Sequence, residues 1–181
     1  MAEIDPAILQ RIELLVLDVD GVMTDGRITL TPAGEEIKSF HVRDGSGMKY
    51  WQRLGKKLAI ITGRSSFAVI RRARELGVDA VRVGLKEKPP ALESILAQLG
   101  VSAEQTAVVG DDLMDLPLFH RCAFRVAVAD AVDELKAEAH MITRLGGGAG
   151  CVRETIEYIL KRTGRWDEII KRYQPGSKES Q

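Results

Sequence analysis

Cysteine is nearly missing from this sequence: Cys122 and Cys151 are its only two. That is too few for a disulfide framework, and their spacing fits no clustered metal motif, so both are read as free structural thiols. An excess of charge is missing as well. Lys plus Arg equals Asp plus Glu at 26 each, which removes the argument for a broad nucleic-acid interface and leaves room only for a local basic pocket. No apolar run has the length of a membrane span, and the opening MAEIDPAILQ lacks the charged-then-apolar order of a secretory leader. A cytoplasmic protein with neither nucleic acid nor membrane as partner is expected. The stretch Gly147-Gly148-Ala149-Gly150 lacks the Gly-Lys-Ser/Thr ending of a nucleotide loop and is read as a structural or intersubunit loop. His41, His120 and His140 form no local metal cluster.

What is present is enough apolar material, 45% of 181 residues, for one substantial core. Short apolar runs at Leu14 to Leu17, Leu58 to Ile61, Ala80 to Val83 and Thr106 to Val109 suit interior strands, with weaker candidates at Phe124 to Ala127 and Met141 to Ile142. Helical stripes lie between them: Phe67, Ile70 and Ala73; Leu92, Ile95, Leu96 and Leu99 between Pro89-Pro90 and Gly100; Val132 and Leu135. The alternation predicts an α/β fold with parallel strands. From Asp25 to Asp44 the rhythm changes. Arg27 to Leu30 and Ile37 to Val42 flank Thr31-Pro32-Ala33-Gly34, which predicts a hairpin flap over 25–44. The expected division is a main domain over 1–163 and, over 164–181, an amphipathic helix with a polar tail. Trp166, Ile169, Ile170 and Tyr173 share one side of that helix and need a cover from this subunit or another.

Two acidic segments follow strand-like runs: Asp18-Val19-Asp20-Gly21 and Gly110-Asp111-Asp112. At the carboxyl ends of parallel strands Asp18 and Asp111 can converge, and their hard oxygens suit Mg2+. Asp18 is a candidate nucleophile on phosphorus, and Asp20, two residues on, a candidate proton donor and acceptor. Asp112 and Asp115 are candidates to support a metal shell, with Asp115 alternatively serving the start of the next helix. Thr62-Gly63-Arg64 puts a hydroxyl beyond another strand, where it can grip a phosphate oxygen, although the tripeptide is also a common loop. Lys88 can stabilise Asp18 and a phosphoryl group, with Lys86 its competitor.

The order Asp18-Val19-Asp20-Gly21-Val22, Thr62-Gly63-Arg64, Lys88, Gly110-Asp111-Asp112 resembles the haloacid dehalogenase-like (HAD-like) phosphatase superfamily. Met23-Thr24-Asp25-Gly26 and Phe40-His41-Val42-Arg43-Asp44-Gly45-Ser46-Gly47 resemble its cap-less subgroup. The resemblance implies a Rossmann-like parallel-sheet core with a small β-hairpin flap and no large cap domain. It implies Mg2+-dependent phosphomonoester hydrolysis with Asp18 as nucleophile, Asp20 as acid/base, Thr62 and Lys88 on the phosphoryl group, and Asp18, Asp111 and a backbone oxygen of Asp20 on the metal. Asp112 and Asp115 then support the metal shell. The subgroup further implies a homotetramer whose neighbouring subunits close each active site, and an acidic sugar phosphate as substrate, eight-carbon or alternatively nine-carbon. Arg43, Lys49 and Arg64 are the candidate sugar contacts. A noncatalytic metal-binding assembly protein is the opposing expectation.

Overall fold

A computed structural model describes residues 4–174. Its centre is a six-stranded parallel sheet of β1 (Leu14–Leu17), β4 (Lys57–Ile61), β5 (Ala80–Arg82), β6 (Thr106–Gly110), β7 (Phe124–Ala127) and β8 (Met141–Ile142), in the order β5-β4-β1-β6-β7-β8. All four residues of β1 are buried, as a strand covered on both faces requires. Helices α1 (Pro6–Arg11), α2 (Val42–Arg53), α3 (Phe67–Leu76), α4 (Pro89–Leu99), α5 (Leu116–Phe119), α6 (Asp133–Glu138), α7 (Cys151–Arg162) and α8 (Trp166–Lys171) complete the fold. Helix α4 starts on Pro89 and stops at Gly100, where the sequence put both signals. Both cysteines are free and buried.

Register is what builds the site. Leu17 pairs with Ile60 of β4 on one side and Val109 of β6 on the other. The residues just past those pairs therefore share one edge of the sheet: Asp18, Thr62 and Asp111. Chain order reverses on either side of β1, and such a switch point opens a crevice beyond the strand ends.

The flap is smaller than expected. Its strands are β2 (Thr29–Leu30) and β3 (Glu36–Ile37), antiparallel and two residues each. The expected strand from Ile37 to Val42 is corrected: Val42 opens α2, with His41 Nδ1 accepting from the Arg43 amide at 3.2 Å. Gly45 and Gly47 lower the helical propensity of this segment, yet packing forms the helix. A Cβ on Gly47 would stand 2.9 Å from Arg153 Cδ and 3.1 Å from its Cα, so α2 reaches α7 only through a bare backbone. The segment around Gly150 is likewise a loop only to Gly150, after which α7 runs for three turns.

At the end of the described chain, Ile169 buries in the subunit's own core while Ile170 and Tyr173 stay exposed. Trp166 and Tyr173 meet the Tyr50 ring edge-on at 6.1 and 5.9 Å, and the Arg153 guanidinium lies over Tyr50 and Trp166. The stripe of α8 is thus covered in part by its own subunit. The polar segment 176–181 lies outside the described residues. Among the described residues no helix is long and apolar enough to cross a membrane.

Candidate active site

A cleft of about 160 Å3 lies at the switch point, lined by Asp18, Asp20, Thr62, Gly63, Arg64, Lys88, Asp111, Asp112, Met114 and Asp115. Lys88 comes from the residue before α4 and is buried, whereas its competitor Lys86 is exposed. Its Nζ lies 3.0 Å from Asp18 Oδ1 and 2.7 Å from Asp115 Oδ1. Burial works against the Lys88 charge, but Asp115 and Asp18 outweigh it and hold the ammonium above its ordinary range.

Carboxylate oxygens of Asp18, Asp111 and Asp115 lie within 4.8 Å of one another. Such crowding in a buried place resists ionisation. Burial, then the charge of Asp115, pushes Asp18 up to about 6 against the pull of Lys88. Burial, then Asp18 and Asp115, pushes Asp111 up to about 8. Asp111 Oδ1 is buried and has no hydrogen-bond partner among the described residues. A crowded set of hard oxygens with one unpartnered atom fits a divalent cation.

Asp115 cannot serve as one more open ligand on the same terms. Its Oδ1 accepts from Lys88 and its Oδ2 accepts from the Asp111 amide at 3.0 Å, so both oxygens brace the cluster. Nor does its side chain cap α5. Asp112 is exposed, and its Oδ1 accepts from the Leu113 amide at 2.7 Å while the residue lines the cleft.

The loop after β1 is fitted to Asp111. Gly21 has φ +92°, and a Cβ there would stand 2.0 Å from Asp111 Oδ2. Only glycine satisfies both that backbone and that contact. Thr62 is buried in the cleft wall, its amide donating to the Arg82 carbonyl at 3.0 Å.

Of the three basic residues expected to meet a sugar, the structure brings only Arg64 to the cleft. Its guanidinium donates to Glu36 Oε1 at 2.8 Å and stands 3.9 Å from Asp20 Oδ2. Arg43 lines a separate cavity of about 570 Å3 beside α7, with Arg144, Arg153 and Tyr158. Lys49 donates to the Leu76 carbonyl at 2.6 Å and so ties α2 to the end of α3. Both sit on α2, whose turn carries their side chains away from the acidic cleft, and neither lines it within one chain.

Two residues at the site were missed. Lys38 Nζ donates to Asp20 Oδ1 and lies 3.3 Å from Glu36 Oε1. Against an opposing desolvation cost, the hydrogen bond from Arg64 and the nearby Lys38 ammonium hold the Glu36 carboxyl below its ordinary range. The available signal was the i, i+2 spacing of Glu36 and Lys38, which puts both on one face of an extended segment.

Known proteins resemble this chain in sequence and in fold. The profile of a family described as haloacid dehalogenase-like hydrolase matches residues 84–146. The 3-deoxy-D-manno-octulosonate 8-phosphate phosphatase KdsC of Haemophilus influenzae is 41% identical over 157 residues, 87% of this chain and 87% of that one. The crystal structure of the corresponding phosphatase from Moraxella catarrhalis, in complex with magnesium ion, phosphate ion and KDO, superposes with a TM-score of 0.90 at 38% identity, covering 93% of this chain and 97% of that one. A cobalt-bound form of the Haemophilus influenzae phosphatase gives a TM-score of 0.84 at 41% identity over 87% and 92% of the two chains.

Proposed function

Since the chain belongs to the haloacid dehalogenase-like hydrolase family and is a phosphomonoester hydrolase, we propose that it converts 3-deoxy-D-manno-octulosonate 8-phosphate to 3-deoxy-D-manno-octulosonate and inorganic phosphate. The observation that carries this reading is the convergence of Asp18, Asp111 and Lys88 in one buried cleft, in a chain similar along most of its length to phosphatases of that name. An assembly protein has no use for such a set, and its phosphatase relatives remove that expectation.

In the proposed reaction an Asp18 carboxylate oxygen attacks phosphorus and the bond to the sugar oxygen breaks. Asp20 gives its proton to that departing oxygen, then takes a proton from the water that cleaves the aspartyl phosphate. Lys88 holds negative charge as it builds on the phosphoryl oxygens, and the Thr62 hydroxyl donates to one of them. Asp18, Asp111 and the Asp20 backbone oxygen are the proposed holders of Mg2+, with Asp112 and Asp115 supporting them. When bound, the ion offsets repulsion between carboxylate and phosphate.

The cleft of about 160 Å3 suits a phosphoryl group but falls below the roughly 300–1,000 Å3 of sites that enclose whole ligands. That shortfall supports a homotetramer in which neighbouring copies of this chain cover the sugar, and Arg43 and Lys49 would contact it only from such a neighbour. Residues 1–163 form the proposed phosphatase domain, 164–181 its appendage, and the cytoplasm the proposed location. The test is phosphate release in the presence of Mg2+, with the eight-carbon substrate set beside a nine-carbon acidic sugar phosphate. Higher kcat/KM on the eight-carbon compound is expected; a clear preference for the nine-carbon one would replace the substrate named above and leave the chemistry intact.

A further inference from the structure

Most of the flap faces solvent: Thr29, Leu30 and Ile37 are exposed. Lys38 breaks the pattern, with a side chain only 1% exposed, turned into the cleft wall rather than outward. It belongs to a closed ring of charges. Lys38 joins Asp20 to Glu36, Glu36 Oε1 accepts from Arg64 at 2.8 Å, and Arg64 Nε returns to within 3.9 Å of Asp20 Oδ2. The ring spans three separate segments: the loop after β1, the end of β3 and the loop after β4.

Its effect on Asp20 is unequal. Oδ1 is engaged by the Lys38 ammonium, whereas Oδ2 is buried and has no hydrogen-bond partner among the described residues. An ammonium has three donors and no acceptor, so it fixes the oxygen it meets and leaves the second for exchange with something else. Resting on the reading of Asp20 as the acid/base, we propose that Lys38 is a positioning residue that grips one Asp20 oxygen from the flap and presents the other to the leaving oxygen of the substrate. Glu36 is the strut that holds Lys38 in place. The flap thereby contributes to proton transfer from inside the same chain, whatever covers the sugar.

Leaving groups that depart unaided supply the test. An alkyl phosphate such as the sugar phosphate needs the proton, whereas p-nitrophenyl phosphate releases a stable phenolate without it. In Lys38→Met, kcat on the sugar phosphate is expected to fall about 30-fold or more, with KM little changed, while kcat on p-nitrophenyl phosphate falls less than about 3-fold. Lys38→Arg should recover much of the loss. Equal losses on both substrates would reveal a merely structural lysine and overturn the proposal, as would unchanged kcat. A raised KM at constant kcat would do so too, by moving Lys38 onto the substrate. Lys38→Gln, closer in polarity, provides the same comparison if the methionine variant folds poorly. Wild-type turnover of p-nitrophenyl phosphate, abolished in Asp18→Asn, checks the underlying phosphatase chemistry separately.

Discussion

Two groups of charges share the cleft, and they are balanced in opposite ways. In the inner one, Asp18, Asp111 and Asp115 crowd within 4.8 Å and face a single lysine, Lys88. In the outer one, Asp20 and Glu36 are matched by Lys38 and Arg64. The consequences appear in protonation: Asp18 and Asp111 are pushed up, while Glu36 is held down. A buried group short of positive charge has a use for a cation; a group whose charges already match has none, and its geometry is free to serve orientation. The inner group is therefore built to react and the outer one to hold.

The largest expected effect tests that division directly. Asp18→Asn keeps the shape of the inner group and removes the nucleophile, so turnover should drop by more than about 10⁴-fold. Because the substitution also removes one of the crowded negative charges, the variant should stay folded and melt no lower than wild type in chelator. Phosphate release and a thermal melt on the same preparation check both halves. Substantial activity in this variant would move the chemistry out of the inner group and break the comparison.

A smaller loss is expected where the two groups meet. Gly21 lies next to Asp20 in the chain and packs against Asp111, and its carbonyl is backed by Gly147: a Cβ on Gly147 would stand 2.0 Å from that oxygen. The same loop is pinned by Gly148 donating to the Val22 carbonyl at 2.9 Å and by Asp130 accepting from the Gly147 amide at 2.9 Å. Gly147→Ala must push the Gly21 loop toward Asp111, displacing Asp111 and the Asp20 backbone oxygen, two of the proposed Mg2+ holders that both substrates need, rather than disabling either. A misplacement of about 1 Å costs about 100-fold in rate. Steady-state kinetics should show that loss on sugar phosphate and p-nitrophenyl phosphate alike, in contrast to Lys38→Met.

These cases mark where the sequence was readable. The inner group was legible in part: Asp18 and Asp111 each follow a buried apolar run, as Thr62 does, and Lys88 stands just before the Pro89-Pro90 helix start, whereas Asp115 was placed only between a metal-supporting and a helix-start role. The outer group was not. Glu36 opens a strand of only two residues and Lys38 follows it, too little for periodicity, and their partners Arg64 and Asp20 are 28 and 18 residues away in the chain. Helix α2 hid behind Gly45 and Gly47, whose local propensity argues against the helix that contact with Arg153 and Arg72 makes possible. Arg43 and Lys49 were named for charge alone, and charge does not say which way a helix turns it. The glycine stretch around Gly147 was recognised as structural, but its fit against the Gly21 carbonyl is a distance between loops that no motif encodes.

The smallest effect is thermodynamic, and it separates the two groups without any substrate. Asp111 is pushed up to about 8 and Asp18 to about 6, both above the roughly 3.9 of an unfolded aspartate. Between those values the folded chain keeps protons that the unfolded chain releases, so stability falls as pH rises. The contribution is complete below about pH 4 and is lost by the time pH passes 8. In chelator, wild type should lose several degrees of melting temperature between pH 5 and pH 8.5 relative to Asp111→Asn, which has no proton to lose at that position. Mg2+ should restore most of the difference at the alkaline end, where the carboxylates are ionised and best able to bind it. Glu36→Gln should run parallel to wild type over the same range, since the Glu36 carboxyl is held down and stays ionised throughout. Parallel slopes for wild type and Asp111→Asn would mean that the inner group carries no charge deficit, and the contrast between the two groups would lose its physical basis.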